Sequence, residues 1–189
     1  MADPAAAFLA RPGVFAQIGA VSSPPRGWTK FCNEHPGDCR PSGELTDEIT
    51  LTPKRLEQLY SINHFANDRV SWTSDVALYG VAERWDYPLD RGDCEDIVLL
   101  KRKLLIKEGW PASVLLITEV KNPRIRDRHA VLAVRTNAGE LILDNLTPEI
   151  LFWNETPYQL IRRQSTKDPN VWVSLPGKLL PRVPPAAGP

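Results

Sequence analysis

Two stretches of the chain repeat apolar residues at the spacing of a helix. Before the first stretch, Thr52 is a suitable N-cap, and Pro53 fits the first helical position, where a missing N–H costs nothing. The inward stripe of this stretch consists of Leu56, Leu59, Tyr60 and Asn63. The pattern predicts a helix that continues to about Asp68.

The second helical stretch begins near Asp93 or Cys94 and ends before Gly109 and Pro111. Its apolar stripe consists of Ile97, Leu100, Leu104 and Leu105, and its predicted outer face consists of Lys101, Arg102, Lys103 and Lys107. The basic residues near its end also favour the negative pole of the helix dipole. The pattern predicts an amphipathic helix that packs on a core.

After this helix the apolar period changes to two, which is typical of strands. The predicted strands are "ASVLLITEV", "HAVLAVRT", "ELILDNL", "YQLIRRQS" and "VWVSL". The glycine in "NAGE" supports a hairpin between the second and third of them. Helices followed by a run of strands predict an α+β fold with an antiparallel sheet.

Composition and domain organisation fit one ordinary globular domain. The 189 residues carry a formal net charge of zero, so nothing favours nucleic acid or an anionic membrane as a partner. No apolar run is long enough to span a bilayer. We predict an irregular segment over residues 1–27, one domain over 28–175 and a Pro/Ala-rich tail over 176–189. The first residues do not form a signal peptide, although one removed from a longer precursor is compatible with this start.

Three cysteines leave several pairings open. Cys32 and Cys39 lie in the short segment "FCNEHPGDC", and the simplest arrangement is a local disulfide with Cys94 as a free thiol, which implies an oxidising compartment. Three reduced cysteines, or a metal site that also uses His35, are the alternatives. The metal site has no obvious fourth ligand.

Cys94 lies in "RGDCEDIVLL", at the predicted start of a helix. The positive end of the helix dipole can stabilise a thiolate there. His129 opens a strand and is the best candidate base, and Asp144 or Asn145 on the next strand can orient its imidazole. The alternative is a buried structural thiol and a histidine that is merely hydrogen-bonded at a strand end.

The predicted hairpin tests the pairing of His129 with Asp144. If Asn137 and Glu140 flank a two-residue turn, Asp144 lies opposite Ala133, on the same face as His129. It would then be four residues from His129, roughly 13 Å along the strand. A bulge or a shifted register is needed to bring the two side chains together.

Three acidic side chains surround the cysteine. Asp93, Glu95 and Asp96 form a candidate oxygen-ligand site for Ca²⁺, which would offset their repulsion of a thiolate. Acids at a helix N-terminus that merely favour the dipole are the alternative. Two tryptophans, Trp85 and Trp110, border this segment and are candidates for the walls of a substrate cleft or for core packing.

The joint order of these motifs resembles the bacterial transglutaminase-like cysteine peptidases. The resemblance lies in "RGDCEDIVLLKRKLLIKEGWP", "RHAVLAVRTNAGELILDN" and "RQSTKDPNVWVSL", while "FCNEHPGDC" and "LTPKRLEQLYSIN" are similar to short periplasmic members from proteobacteria. It covers nearly all of residues 28–175. It implies a papain-like or transglutaminase-like core, a triad of Cys94, His129 and Asp144, and a periplasmic location after removal of a signal peptide.

The resemblance also implies cofactors and partners. Lap-type members of the family cut large surface adhesins and so release biofilm, bind calcium through acids beside the catalytic cysteine, and are controlled by a membrane-anchored receptor that responds to cyclic-di-GMP. Here Asp93, Glu95 and Asp96 match those acids. The short chain and the extra cysteine pair depart from those members.

These observations predict a cysteine peptidase that acts on a protein through a thioester acyl-enzyme. Related folds perform transamidation or deamidation of glutamine side chains, and fold alone does not choose between these reactions. A non-catalytic, calcium-dependent binding module with an unreactive Cys94 is the second alternative.

Overall fold

The structure is a computed structural model that describes residues 13–41, 45–123 and 127–176. In these ranges an antiparallel sheet carries its main helices on one face, as the sequence predicts for an α+β chain. Most of the predicted tail, residues 177–189, lies outside the described residues, as does the start of the predicted N-terminal segment. No helix in the described ranges is both long and apolar enough to cross a membrane.

Four helices precede most of the sheet. They are α1 (Arg26–Glu34), α2 (Pro53–Arg69), α3 (Asp75–Tyr79) and α4 (Cys94–Lys107). Helix α2 begins as predicted, because the Thr52 side chain accepts a hydrogen bond from the Arg55 N–H at 3.2 Å and Pro53 opens the first turn. Helix α4 begins directly at Cys94.

Nine strands are present in the described ranges. They are β1 (Val21–Ser22), β2 (Ser71–Trp72), β3 (Arg91–Gly92), β4 (Leu115–Asn122), β5 (Asp127–Thr136), β6 (Gly139–Leu143), β7 (Leu151–Phe152), β8 (Gln159–Gln164) and β9 (Trp172–Ser174). Seven of them form one sheet in the order β1-β9-β8-β4-β5-β6-β7, while β2 and β3 form a separate parallel pair. Short 3₁₀ turns occur at Ala112–Val114 and Trp153–Glu155.

The main core lies between the helices and one face of the sheet. Leu59 of α2 and Val98 of α4 pack there against Leu132 and Val134 of β5. Trp28, Trp85 and Trp172 meet edge to face in the same core, at ring-centroid distances of 6.2 to 6.4 Å. A second cluster on the opposite sheet face contains Leu116, Val120, Val131 and Tyr158. Trp85 therefore belongs to the core, as Trp110 does, and neither lines the cleft described below.

Helix α4 is more deeply buried than its pattern predicts. Lys101 and Arg102, expected on its outer face, are 0% and 4% exposed, because α2 and β5 both pack against α4. Arg102 donates from Nε to the Leu115 carbonyl at 3.2 Å. The expectation of a solvated outer face is wrong at these two positions.

The cysteine pairing is resolved in favour of the disulfide. Cys32, in the last turns of α1, is bonded to Cys39, and Cys94 is the free thiol. Since the disulfide consumes both sulfurs, a metal site at Cys32, His35 and Cys39 does not form. The His35 imidazole instead lies 3.3 Å from the Asp86 carboxylate.

Candidate active site

Cys94 opens α4 at the floor of a cleft of about 580 Å³. Asp93, in an extended conformation, is the N-cap residue between the end of β3 at Gly92 and the start of α4 at Cys94. The first-turn N–H groups of α4 are therefore directed towards the cleft floor, where they can stabilise negative charge. His129 lines the same cleft.

The Cys94 sulfur lies close to β5. The backbone N–H of Ala130, the residue after His129, donates a hydrogen bond to the Cys94 sulfur. This contact places the thiol beside the strand that carries the histidine. A thiol at a helix start that shares a cleft with a strand-borne imidazole is an arrangement in which a cysteine can act as a nucleophile.

His129 and Asp144 are in direct contact. The Nε2 atom of His129 lies 2.7 Å from Oδ1 of Asp144, and both residues are buried. Because Asp144 engages Nε2, Nδ1 is the ring nitrogen left to exchange a proton with a thiol. Asn145, the alternative orienter, has no contact of this kind, and its Oδ1 lacks a hydrogen-bond partner within the described part of the chain.

The hairpin register explains this contact. Thr136 pairs with Gly139, and Leu132 pairs with Leu143. The turn therefore lies one residue earlier in the chain than in the strand pairing assumed from the sequence. Continued by one residue, this register sets Asp144 opposite Val131, two residues from His129 rather than four. That separation is about 7 Å along the strand, which two side chains on one face can bridge.

Two further hydrogen bonds hold the Asp144 carboxylate. The Tyr158 hydroxyl donates to Oδ2, and the Leu146 N–H donates to Oδ1 at 3.0 Å. Burial alone would raise the pKa of Asp144, but these bonds, together with the His129 contact, hold it below its ordinary value. Asp144 is therefore an ionised partner for the imidazole at neutral pH.

The pKa of the Cys94 thiol is shifted in the opposite direction from that of Asp144. Burial raises the pKa of Cys94 well above its ordinary value, and the negative charge of Glu95 raises it further. The sulfhydryl donates to Glu95 Oε2 at 2.8 Å. Without a cation, the acids beside the cysteine favour the protonated thiol, as the sequence argument anticipates.

A trio of aspartates lies behind the cysteine. Ligand atoms of Asp75, Asp93 and Asp96 all fall within 4.8 Å of one another. One oxygen of each is buried without a hydrogen-bond partner among the described residues. Burial raises the pKa of all three, that of Asp96 to about 7. Repulsion within the trio raises the pKa of Asp93 and Asp96 further, and the negative charge of Glu83 does so for Asp75. Converging, unpaired carboxylate oxygens are the donor set that a hard cation such as Ca²⁺ prefers.

This trio differs from the predicted ligand set. Asp93 and Asp96 are in it, whereas the Glu95 carboxylate contacts the Cys94 sulfur instead. Asp75 comes from α3, and no spacing in the sequence connects it to "DCED". Gly92 makes room for the cluster, since a Cβ there would lie 2.7 Å from Asp96 Oδ2.

The cleft walls contain residues that the sequence did not single out. Arg162 of β8 holds Glu119 of β4 with two bonds, from Nε at 2.7 Å and from Nη2 at 3.0 Å. Arg128 lies 3.4 Å from the same carboxylate. Trp72 of β2 borders the cleft with 64% of its surface exposed, and an exposed aromatic surface there can contact a substrate.

Comparison with known proteins gives a consistent result. The family model described as bacterial transglutaminase-like cysteine proteinase matches residues 18–179. Calcium-bound LapG from Legionella pneumophila is 26% identical, with a TM-score of 0.54 over 66% of this chain and 71% of that chain. EGTA-treated LapG from Legionella pneumophila is also 26% identical, with a TM-score of 0.53 over 66% of this chain and 69% of that chain. No curated protein sequence matches the chain significantly.

Proposed function

The chain belongs to the bacterial transglutaminase-like cysteine proteinases, and from this membership we propose that it hydrolyses peptide bonds with a triad of Cys94, His129 and Asp144. As a cysteine peptidase of this family it acts on protein. The observation that carries the triad is the buried His129–Asp144 contact, in which the imidazole lines the same cleft as a cysteine at a helix start. These positions support the roles of nucleophile for Cys94, base for His129 and orienting acid for Asp144.

The reaction follows from these positions. Nδ1 of His129 takes the Cys94 proton, and the thiolate attacks the substrate carbonyl carbon. The Cys94 backbone N–H at the helix start donates to the resulting oxyanion. His129 then protonates the leaving amine, which leaves a thioester. Water, deprotonated by His129, attacks that thioester and releases the carboxylic acid and the free thiol.

We also propose that the aspartate trio binds Ca²⁺. Asp75, Asp93 and Asp96 would hold it, and the close approach of the three carboxylates supports this assignment, since one oxygen of each has no hydrogen-bond partner among the described residues. When bound, the ion supplies positive charge that offsets the acids surrounding the cysteine. Solved LapG structures described as calcium-bound and EGTA-treated are consistent with a calcium site in this family.

The proposed location is an oxidising compartment, the periplasm. The Cys32–Cys39 disulfide supports it, since such bonds persist outside the reducing cytosol. The proposed substrate is a protein exposed beyond the inner membrane, and a surface adhesin is the class that the family resemblance implies. A membrane-anchored regulatory receptor is the partner implied in the same way.

A cleavage assay tests the triad. Wild type, Cys94→Ala and His129→Ala are incubated with a peptide library and Ca²⁺, and new N-termini are measured by mass spectrometry. Of these three proteins, we expect only wild type to cleave, with an unchanged unfolding midpoint for Cys94→Ala. His64→Ala, at an exposed position on α2, is the matched control and should remain active.

Two results would contradict the proposal. Cleavage that persists in Cys94→Ala would remove the nucleophile assignment. Release of ammonia from glutamine peptides, without any new N-terminus, would replace hydrolysis of the backbone by deamidation or transamidation.

A further inference from the structure

Tyr158 contacts both members of the His129–Asp144 pair. Its hydroxyl donates to Asp144 Oδ2, the oxygen that His129 does not use. Its ring lies edge-on to the imidazole, with centroids 5.7 Å apart and planes inclined at 64°. The side chain is buried on the sheet face that also carries Val120 and Val131. It is not among the residues that line the cleft.

A bulge in the sheet places Tyr158 on this face. Glu119 pairs with Arg162, but the next residue, Val120, pairs with Leu160, so Ile161 is skipped. Continued by one pair, this register sets Tyr158 opposite Asn122, on the face of Val120. Without the extra residue, every side chain before the bulge would point to the other face.

The Tyr158 hydroxyl restricts a rotation of the Asp144 carboxylate that the contact with the His129 imidazole leaves free. A carboxylate bonded only through Oδ1 can rotate about its Cβ–Cγ bond, which changes the direction of its lone pairs towards His129. The bond from Tyr158 to Oδ2 holds the carboxylate plane, and the ring edge restricts the imidazole. Charge-assisted bonds of this kind are stronger than neutral ones.

We propose that Tyr158 is a positioning residue, which acts through Asp144 to hold the His129 imidazole in the orientation that accepts the Cys94 proton. This role rests on the triad proposed above. Ionisable groups on the neighbouring elements include His129 itself on β5 and the buried Lys101 on α4, whose electrostatic interaction with Asp144 is attractive. Tyr158 supplies a directed bond to the carboxylate.

The test is the rate of Cys94 alkylation by iodoacetamide as a function of pH, followed by mass spectrometry in the presence of Ca²⁺. It compares wild type, Tyr158→Phe, Asp144→Asn and the double variant. Phenylalanine keeps the ring, so folding is preserved, and thermal unfolding of each variant checks this. We expect Tyr158→Phe to slow labelling at neutral pH about tenfold, the factor that corresponds to loss of one such bond. In the Asp144→Asn background the same change should have little further effect, because the bond partner is already altered.

Tyr60→Phe is the matched control, since Tyr60 lies on α2 and packs against the main core. It should label like wild type at every pH. Equal labelling of Tyr158→Phe and wild type would overturn the positioning role, as would an equal loss in both backgrounds. If Asp144→Asn itself labels like wild type, the triad fails and the role of Tyr158 fails with it, so the two failures are distinguishable.

Discussion

Replacing Lys101 with methionine tests how the fold accommodates a cation buried on the helix of Cys94. The side chain is inaccessible to solvent, and its Nζ has no hydrogen-bond partner among the described residues. Burial lowers the pKa of Lys101 from 10.5 to about 7, although the negative charge of Asp144 acts in the opposite direction. Methionine retains most of the apolar contacts of the lysine stem and cannot ionise.

The magnitude follows from proton linkage. Between pH 7 and 10.5 the unfolded chain binds the Lys101 proton more tightly than the folded protein does, so stability rises with pH across this window. Below it, holding the charged ammonium in the fold costs on the order of 5 kcal/mol, at about 1.4 kcal/mol per pKa unit. Replacing buried ionic groups by apolar ones gives about 1–4 kcal/mol in practice, so we expect Lys101→Met to raise the free energy of unfolding by that amount at neutral pH.

The assay is urea unfolding, followed by tryptophan fluorescence over neutral to alkaline pH. Wild type should gain stability as the pH rises, and Lys101→Met should lack this contribution. Lys107→Met, at an exposed position in the last turn of the same helix, is the control and should retain the wild-type slope. A Lys101→Met protein that is less stable than wild type at neutral pH would refute the reasoning, because the ammonium would then make a net stabilising contact.

Two further predictions concern the cation site and the disulfide. Ca²⁺ at 100 to 1,000 times its Kd should stabilise wild type by about 2–4 kcal/mol. In a thermal-shift measurement, Asp75→Asn should lose most of this gain. The control Asp90→Asn, at an exposed position nearby, should keep it. Equal calcium responses in the two variants would remove Asp75 from the site. Replacing Cys32 and Cys39 by alanine should lower the free energy of unfolding by about 2–3 kcal/mol, since the bond closes a short loop. A reductant should then destabilise wild type in chemical denaturation and leave the double variant unchanged; equal sensitivity of both would contradict this.

The sequence predicts what depends on local pattern and fails where distant segments meet. Thr52 and Pro53 mark the start of α2, and the position of Cys94 at the start of α4 follows from the acids and apolar residues around it. The strands around His129 are predicted from alternation alone. The sequence also predicts that His129 and Asp144 lie on the same face of the sheet. Moving the turn by one residue shifts the strand pairing by an even number of residues, so every side chain stays on its predicted face.

The remaining features depend on long-range packing. The hairpin turn assumed from the sequence separated His129 from Asp144 by four residues along the strand. Placing the turn one residue earlier reduces this separation to two residues. Lys101 and Arg102 look solvated in a helical pattern, and only the packing of α2 and β5 buries them. Asp75 has no sequence signal, because its role follows from the pairing of β2 with β3.

The aspartate trio also has a consequence for chain topology. Asp75 lies on one side of residues 76–92, and Asp93 and Asp96 lie on the other, so an ion held by all three would act as a reversible cross-link. Such a cross-link removes loop-closure entropy as a disulfide does, but it responds to ion concentration rather than to redox conditions. Glu83, within this loop, accepts a hydrogen bond from the Gly27 N–H and lines the cleft. Calcium concentration would thereby set the fraction of molecules in which this loop is cross-linked, and hydrogen exchange in residues 76–92 would follow that fraction.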